Sequence, residues 1–180
     1  MTYRTGCIAA AILYAVHPSM AAASDKSWSH LSTVGLDALI GAALVAPVVM
    51  DDWDGGVQAG GSMAASALVS TGLKEAFPEM RPDRSNRRSF PSMHTSVAFS
   101  AAATLQNRYG WEVGVPAQVV AAFVGLARVQ AHKHHWYDVA AGAAVGELSG
   151  FLITNKASSD VRVMPWGDSK GGGLAIGMRF

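Results

Sequence analysis

Charge is scarce in this chain, and neither sign prevails. Only 15% of the 180 residues are charged, 14 basic against 13 acidic, where globular domains average about 25%. The missing basic excess excludes a generic nucleic-acid binder. The apolar half of the composition excludes a disordered chain, which would be polar and strongly charged. A single cysteine excludes a disulfide scaffold and a cysteine-based zinc site. No internal repeat is visible, and 180 residues amount to one domain. What is abundant is alanine and glycine, so closely packed helices are the first expectation.

Arg4 is the only charge before Asp25, and an apolar stretch runs from Cys7 to Val16. Ala21, Ala22 and Ala23 then supply the small residues that a signal peptidase reads. Residues 1–23 therefore read as a signal peptide cleaved after Ala23, with an uncleaved membrane anchor as the alternative. His17 and Pro18 interrupt the apolar run and weigh against a spanning helix. Cleavage leaves a mature chain without cysteine, exported to a bacterial-type envelope.

Residues 24–156 read as a helical domain. Helices are expected at 33–50, 57–76, 93–107, 115–131 and 136–154. The second stops near Phe77, because Pro78 disfavours helix at the residue before it. Ser92 caps the third. Residues 157–180 form a tail in which Leu174, Ile176, Met178 and Phe180 alternate with small or polar neighbours, the period of a strand. A C-terminal β-hairpin over 161–164 and 174–180 follows, with its turn at 171–173. The class is mostly α, a bundle of about five helices with a short hairpin.

Membrane insertion is left open by the pattern. The stretch 55–73 is uncharged but holds five glycines, three serines and Gln58. The run 38–50 is more apolar but short of the ~20 residues a span needs. Asp37 and Glu147 would lie inside spans at a cost. An arginine-rich loop facing the periplasm would also run against the positive-inside tendency. Periplasmic and inner-membrane-embedded readings both stand, with the active site facing the periplasm.

Three clusters carry the chemistry: Lys74 to Pro82, Ser89 to Thr95, and Ala127 to Asp138. Lys74, Arg81 and Arg128 each follow or end a helix, so they can converge at one end of the bundle and bind an anion. Arginine offers a planar fork for phosphate oxygens and lysine a point charge. Ser92 and the first N–H groups of the third helix add donors at a helix N-terminus. His134 and Asp138, four apart, share one face of a helix. The carboxylate can fix the tautomer of His134 and leave its other nitrogen free to attack. His94 supplies a second imidazole for acid–base work.

These clusters resemble the type 2 phosphatidic-acid phosphatase and vanadium haloperoxidase superfamily. Its pattern is Lys, six residues, Arg-Pro; then Pro-Ser-Gly-His; then Ser-Arg, five residues, His, three residues, Asp. The chain matches with Lys74, Arg81-Pro82, Pro91-Ser92-x-His94, Arg128, His134 and Asp138, over about residues 57–150. It departs at Met93, in place of glycine, and at Ala127, in place of serine. The resemblance implies an acid phosphatase/haloperoxidase-like fold and metal-independent hydrolysis of a phosphate monoester or diphosphate. His134 is then the nucleophile, Asp138 its orienting partner, and His94 the acid and later the base. Lys74, Arg81, Ser92, the Met93 N–H and Arg128 hold the phosphoryl oxygens. It implies no cofactor. The implied substrates are lipids (phosphatidic acid, phosphatidylglycerol phosphate or an isoprenyl diphosphate) or small organic phosphates, with a membrane surface as partner.

Blander readings stand beside these. Arg84, Arg87 and Arg88 read as a solvated loop face. His94, His132, His134 and His135 could ligate zinc, but nearby cations oppose a dication. His132 and His135 read as surface or supporting residues, and Trp136 and Tyr137 as packing. A haloperoxidase using vanadate in the same cradle and a non-enzymatic phospholipid-binding module are the alternative functions. The short loop before His94 weighs against the first, and the complete His94, His134, Asp138 set against the second. Oligomeric state is unassigned.

Overall fold

A computed structural model describes residues 24–156, 161–168 and 171–178. The expected signal segment, 1–23, lies outside the described residues. Five helices are present among them: α1 (Asp25–Val49), α2 (Trp53–Ala76), α3 (Met93–Tyr109), α4 (Trp111–Gln130) and α5 (Trp136–Ile153).

Local chemistry sets most of the ends. The Ser24 side chain accepts from the Ser27 N–H at the start of α1, and Asp52 accepts from the Gly55 N–H at the start of α2. α2 stops at Ala76, ahead of Pro78, as expected. Three helices, α1, α2 and α4, begin earlier than their apolar runs suggest. The first turns of α1 are polar yet bury Trp28 and Ser32. Only Gly110 separates α3 from α4, at φ 90°, a left-handed conformation that glycine adopts without steric cost.

α3 is the hub, packed against the other four helices. Its inward face is built from small residues: Ala98, Ser100, Ala101, Ala102, Ala103 and Thr104 are all buried. Gly142, Gly146 and Gly150 form a stripe along α5. A β-carbon at Gly142 would lie 2.5 Å from the Ser92 carbonyl oxygen, and one at Gly146 would collide with the Ser96 carbonyl. The stripe therefore lets α5 rest on the α3 backbone. Gly146→Val is expected to cost about 3 kcal/mol through overpacking, read as a lowered thermal midpoint of the purified chain.

The bundle has small polar residues inside and large apolar ones outside. Ser32, Ser62, Ser66, Ser70 and Ser96 are buried, whereas Val49, Trp53, Leu68, Val119 and Leu152 are exposed. Some of the buried hydroxyls find partners nearby: Ser62 Oγ lies 2.8 Å from Thr104 Oγ1, and Ser66 Oγ donates to the Met63 carbonyl, whereas Ser70 Oγ has none among the described residues. α1 and α4 are long and apolar enough to cross a bilayer.

The tail forms an antiparallel pair, β1 (Val161–Asp168) and β2 (Gly171–Met178), with Val161 opposite Met178 and Asp168 opposite Gly171. The hairpin is as expected, but its turn is not. Residues 171–173 belong to β2, and residues 179–180 of the expected second strand lie outside the described residues. β1 continues through Pro165 because a strand in a two-stranded sheet has a free edge, where the missing N–H costs no ladder bond.

Candidate active site

Helices α2, α4 and α5 meet near the start of α3, and the three chemical clusters come together there. Lys74, in the last turn of α2, is buried. Its Nζ donates to the carbonyls of Arg88 at 3.0 Å and Ser89 at 3.3 Å, and to that of Pro91. All three ammonium protons are thus engaged with the segment leading into α3, so direct contact with a phosphate requires release of at least one carbonyl.

The loop between α2 and α3 is stitched to the turn between α4 and α5. The Asp83 N–H donates to the His132 carbonyl and the Ser92 N–H to the Asp138 carbonyl. Lys133 Nζ meets Asp83 Oδ2 at 2.6 Å. Ser92 occupies the N-cap position of α3, but its hydroxyl makes no capping bond and instead accepts from Thr95 Oγ1 at 2.9 Å. Met93 and His94, half-buried, are the first two residues of α3.

Arg128 is buried in the last turn of α4. Its NH1 group lies 3.3 Å from both Ser29 Oγ and Ser32 Oγ on α1. Arg128 Nε and Arg81 Nε are buried with no protein partner among the described residues. Unpaired guanidinium donors of this kind are costly, and an anion between them would satisfy both. The charges of Lys74, Arg81 and Arg128 all act on His94 and on His134, so the cations and imidazoles form one cluster.

His134 is 3% exposed and Asp138 fully buried, with Nδ1 of the one 3.7 Å from Oδ2 of the other. They do not meet through helical periodicity as expected. α5 starts at Trp136 with His135 as its N-cap, so His134 lies in the preceding turn and Asp138 in the first helical turn. Asp138 Oδ2 accepts from Ser89 Oγ at 2.6 Å and from the His135 N–H at 2.8 Å. Burial pushes the His134 imidazole below its ordinary pKa. The Asp138 carboxylate pulls the other way, and the three cations add to the depression.

Sequence reasoning missed Ser89 as the hydroxyl that holds Asp138. It also missed the cap: a residue followed three positions on by Asp is the spacing of a capping box, and His135 and Asp138 fill it. Trp136, expected as packing, is largely exposed and touches Tyr137 edge-on, whereas Tyr137 does pack, though at the surface. Tyr137 stacks on His135 with ring centroids 5.0 Å apart and donates its hydroxyl proton to Glu79. His132 faces solvent, 3.2 Å from Asp25, so the four-histidine zinc set does not assemble. Among the described residues a candidate ligand group is Glu79, His135 and Asp138, where Asp138 Oδ2 already accepts from Ser89 and His135.

Residues 55–161 match the family model described as the PAP2 superfamily. The chain is 38% identical over 96 residues to a lipid A 1-phosphatase of Porphyromonas gingivalis, covering 51% of this chain and 21% of that protein. It is 32% identical over 111 residues to a lipid A 4'-phosphatase of Helicobacter pylori, covering 53% and 56%. It therefore spans only part of these relatives. Among solved structures, Aquifex aeolicus LpxE superposes with a TM-score of 0.63 at 22% identity, covering 79% of this chain and 90% of that one. A transmembrane PAP2-type phosphatidylglycerolphosphate phosphatase from Bacillus subtilis superposes with a TM-score of 0.57 at 24% identity, covering 81% and 79%. Both likenesses are of fold.

Proposed function

The chain belongs to the PAP2 superfamily, and we propose that it is a membrane-embedded lipid phosphatase working through a phosphohistidine. The carrying observation is the pair of buried, unpartnered guanidinium nitrogens on Arg81 and Arg128, beside His94 and the Asp138-backed His134. In this reading the phosphoryl group sits among Lys74, Arg81 and Arg128, with Ser92 and the Met93 N–H at the start of α3. His134 Nε2 attacks phosphorus and the ester P–O bond breaks. The departing oxygen takes a proton from His94. His94 then accepts a proton from water, whose oxygen attacks phosphorus, and the N–P bond breaks to release phosphate. Most of the rate enhancement comes from fixed charge and alignment.

A lipid substrate is supported by what adjoins the cluster. A groove of about 690 Å³, walled by Leu73, Phe77, Phe90 and Tyr137, opens beside residues that neighbour Lys74, Ser89 and Asp138 in the chain. Membrane embedding is supported by the small-inside, large-outside packing, the arrangement helices adopt in lipid. α1, 25 residues long, extends about 37 Å, enough for a hydrocarbon core of about 30 Å. A periplasmic, water-soluble reading draws on Asp37, exposed midway along α1. Retention of the chain in membranes washed with carbonate supports embedding, and its release supports the soluble reading.

The function is tested by phosphate release from phosphatidic acid, phosphatidylglycerol phosphate and an isoprenyl diphosphate in detergent micelles containing EDTA. Release from at least one is expected. Silence on all three, with phosphate still bound, would favour a binding module. The pH dependence adds a signature. Because His134 must be neutral to attack, and burial lowers its pKa, it stays reactive in more acid solution than a free imidazole. The acidic limb of kcat/KM, corrected for ionisation of the substrate, is expected below pH ~6.5.

A further inference from the structure

We propose that Ser89 is a positioning residue, whose hydroxyl fixes the Asp138 carboxylate opposite His134. The proposal rests on the phosphohistidine reading above. Ser89 is fully buried, and each of its polar groups is committed to a different part of the site. Its hydroxyl donates to Asp138 Oδ2 at 2.6 Å, its N–H donates to the Glu79 carbonyl at 3.0 Å, and its own carbonyl accepts from Lys74 Nζ at 3.3 Å. One residue thereby joins the cation at the end of α2 to the carboxylate at the start of α5.

The oxygen that Ser89 grips is the one that faces the nucleophile. Asp138 Oδ2 lies 3.7 Å from His134 Nδ1, too far for a hydrogen bond, and His134 Nδ1 is buried with no partner among the described residues. Closing that gap is what a positive imidazole would demand as His134 bonds to phosphorus. A short bond from a hydroxyl to a carboxylate is a strong, directional one. With the His135 N–H on the same oxygen at 2.8 Å, it sets where the carboxylate waits. Alanine at position 89 removes the hydroxyl tether without adding bulk and leaves the His135 N–H and His135 Nδ1, the latter 3.2 Å away, on the same oxygen. It leaves the backbone bonds to Lys74 and Glu79 in place, so the cation cluster keeps its anchor.

The test compares wild type, Ser89→Ala and Ser89→Thr in the full-length chain. Two readouts are used: steady-state phosphate release, and the titration of His134 in ¹⁵N-histidine-labelled protein, its signal assigned with His134→Gln. Ser89→Ala is expected to lower kcat by about 10- to 100-fold, the range for losing a hydrogen-bonded partner of an active group, with KM unchanged and the thermal midpoint lowered by only a few degrees, the cost of one buried hydrogen bond. Ser89→Thr, which keeps the hydroxyl, is expected to recover most of the loss. The His134 midpoint should fall in Ser89→Ala by about half a pH unit or more as the carboxylate's pull weakens, while Lys74, Arg81, Arg128 and His94 still face it. Wild-type kcat in Ser89→Ala, a rise in KM with a lowered thermal midpoint, or an unshifted or raised His134 midpoint would each overturn the proposal. If the wild type releases no phosphate, the phosphatase reading fails, and the titration still decides whether Ser89 positions Asp138.

Discussion

Replacing His134 with alanine is expected to lower phosphate release by on the order of 10⁴-fold or more, the scale on which a covalent nucleophile is lost. His134 is 3% exposed, and in the proposed mechanism His94 is committed to moving the proton and so does not take its place. Lys74, Arg81 and Arg128 remain, so affinity for phosphate should change little, and the loss should fall on kcat. Asp138→Asn should be milder than His134→Ala, since it keeps the shape and the His135 N–H contact but removes the charge that steadies the imidazolium. The decisive measurement is rapid quenching into base with a ³²P-labelled substrate, where labelled protein is expected for the wild type and none for His134→Ala. Release that persists in His134→Ala would move the nucleophile elsewhere and with it the meaning of the whole cluster.

The parts of this site that were legible in the sequence are those carried by spacing and residue type. Lys74, Arg81, Arg128, His94, His134 and Asp138 were named from three short segments, and helix ends bring those segments together. The route by which His134 meets Asp138 was not legible, because a four-residue spacing spans a turn and a cap as readily as one helical turn. Ser89 was hidden for another reason. It bonds to a residue 49 positions away, and a serine carries no local mark of a distant partner. Hydrophobic periodicity placed the five helices but misjudged where α1, α2 and α4 begin. When small polar residues such as Ser62 and Ser66 are buried and Val49 and Leu152 face outward, apolar runs no longer report the core. Gly142, Gly146 and Gly150, four apart, mark the α3–α5 contact where no apolar stripe does.

At the opposite end of the bundle, replacing Arg108 with alanine is expected to destabilise the fold by about 3–5 kcal/mol, the cost of stranding one partner of a buried ion pair. Arg108, 8% exposed in the last turn of α3, makes a two-pronged contact with Asp52 in the turn between α1 and α2. Its NH1 group also donates to Gln58 Oε1 at 3.0 Å and to the Asn155 carbonyl at 2.9 Å, and Tyr109 donates to Asp52 Oδ2 at 3.0 Å. One guanidinium thus ties α2, α3 and the chain leaving α5. The Arg108 hydrogen bonds hold the Asp52 carboxyl below its ordinary pKa, so the contribution is present above the carboxylate range and is lost only as pH falls through the lowered value. Alanine at 108 would take the guanidinium from the Asp52 carboxylate, leaving it the Tyr109 hydroxyl and the Gly55 N–H, and would leave Gln58 Oε1 only the Asn155 N–H; a fall of roughly 10 °C in thermal midpoint is expected. Removing both charges with an apolar pair, Asp52→Leu with Arg108→Met, should recover much of that fall, because the desolvation cost disappears with the attraction. The site lies at the far end of the helices, so kcat and KM of the folded Arg108→Ala fraction should match the wild type at a temperature below its midpoint. A fall of less than about 1 kcal/mol would place this pair among exposed salt bridges, and the three segments would then be held by helix packing alone.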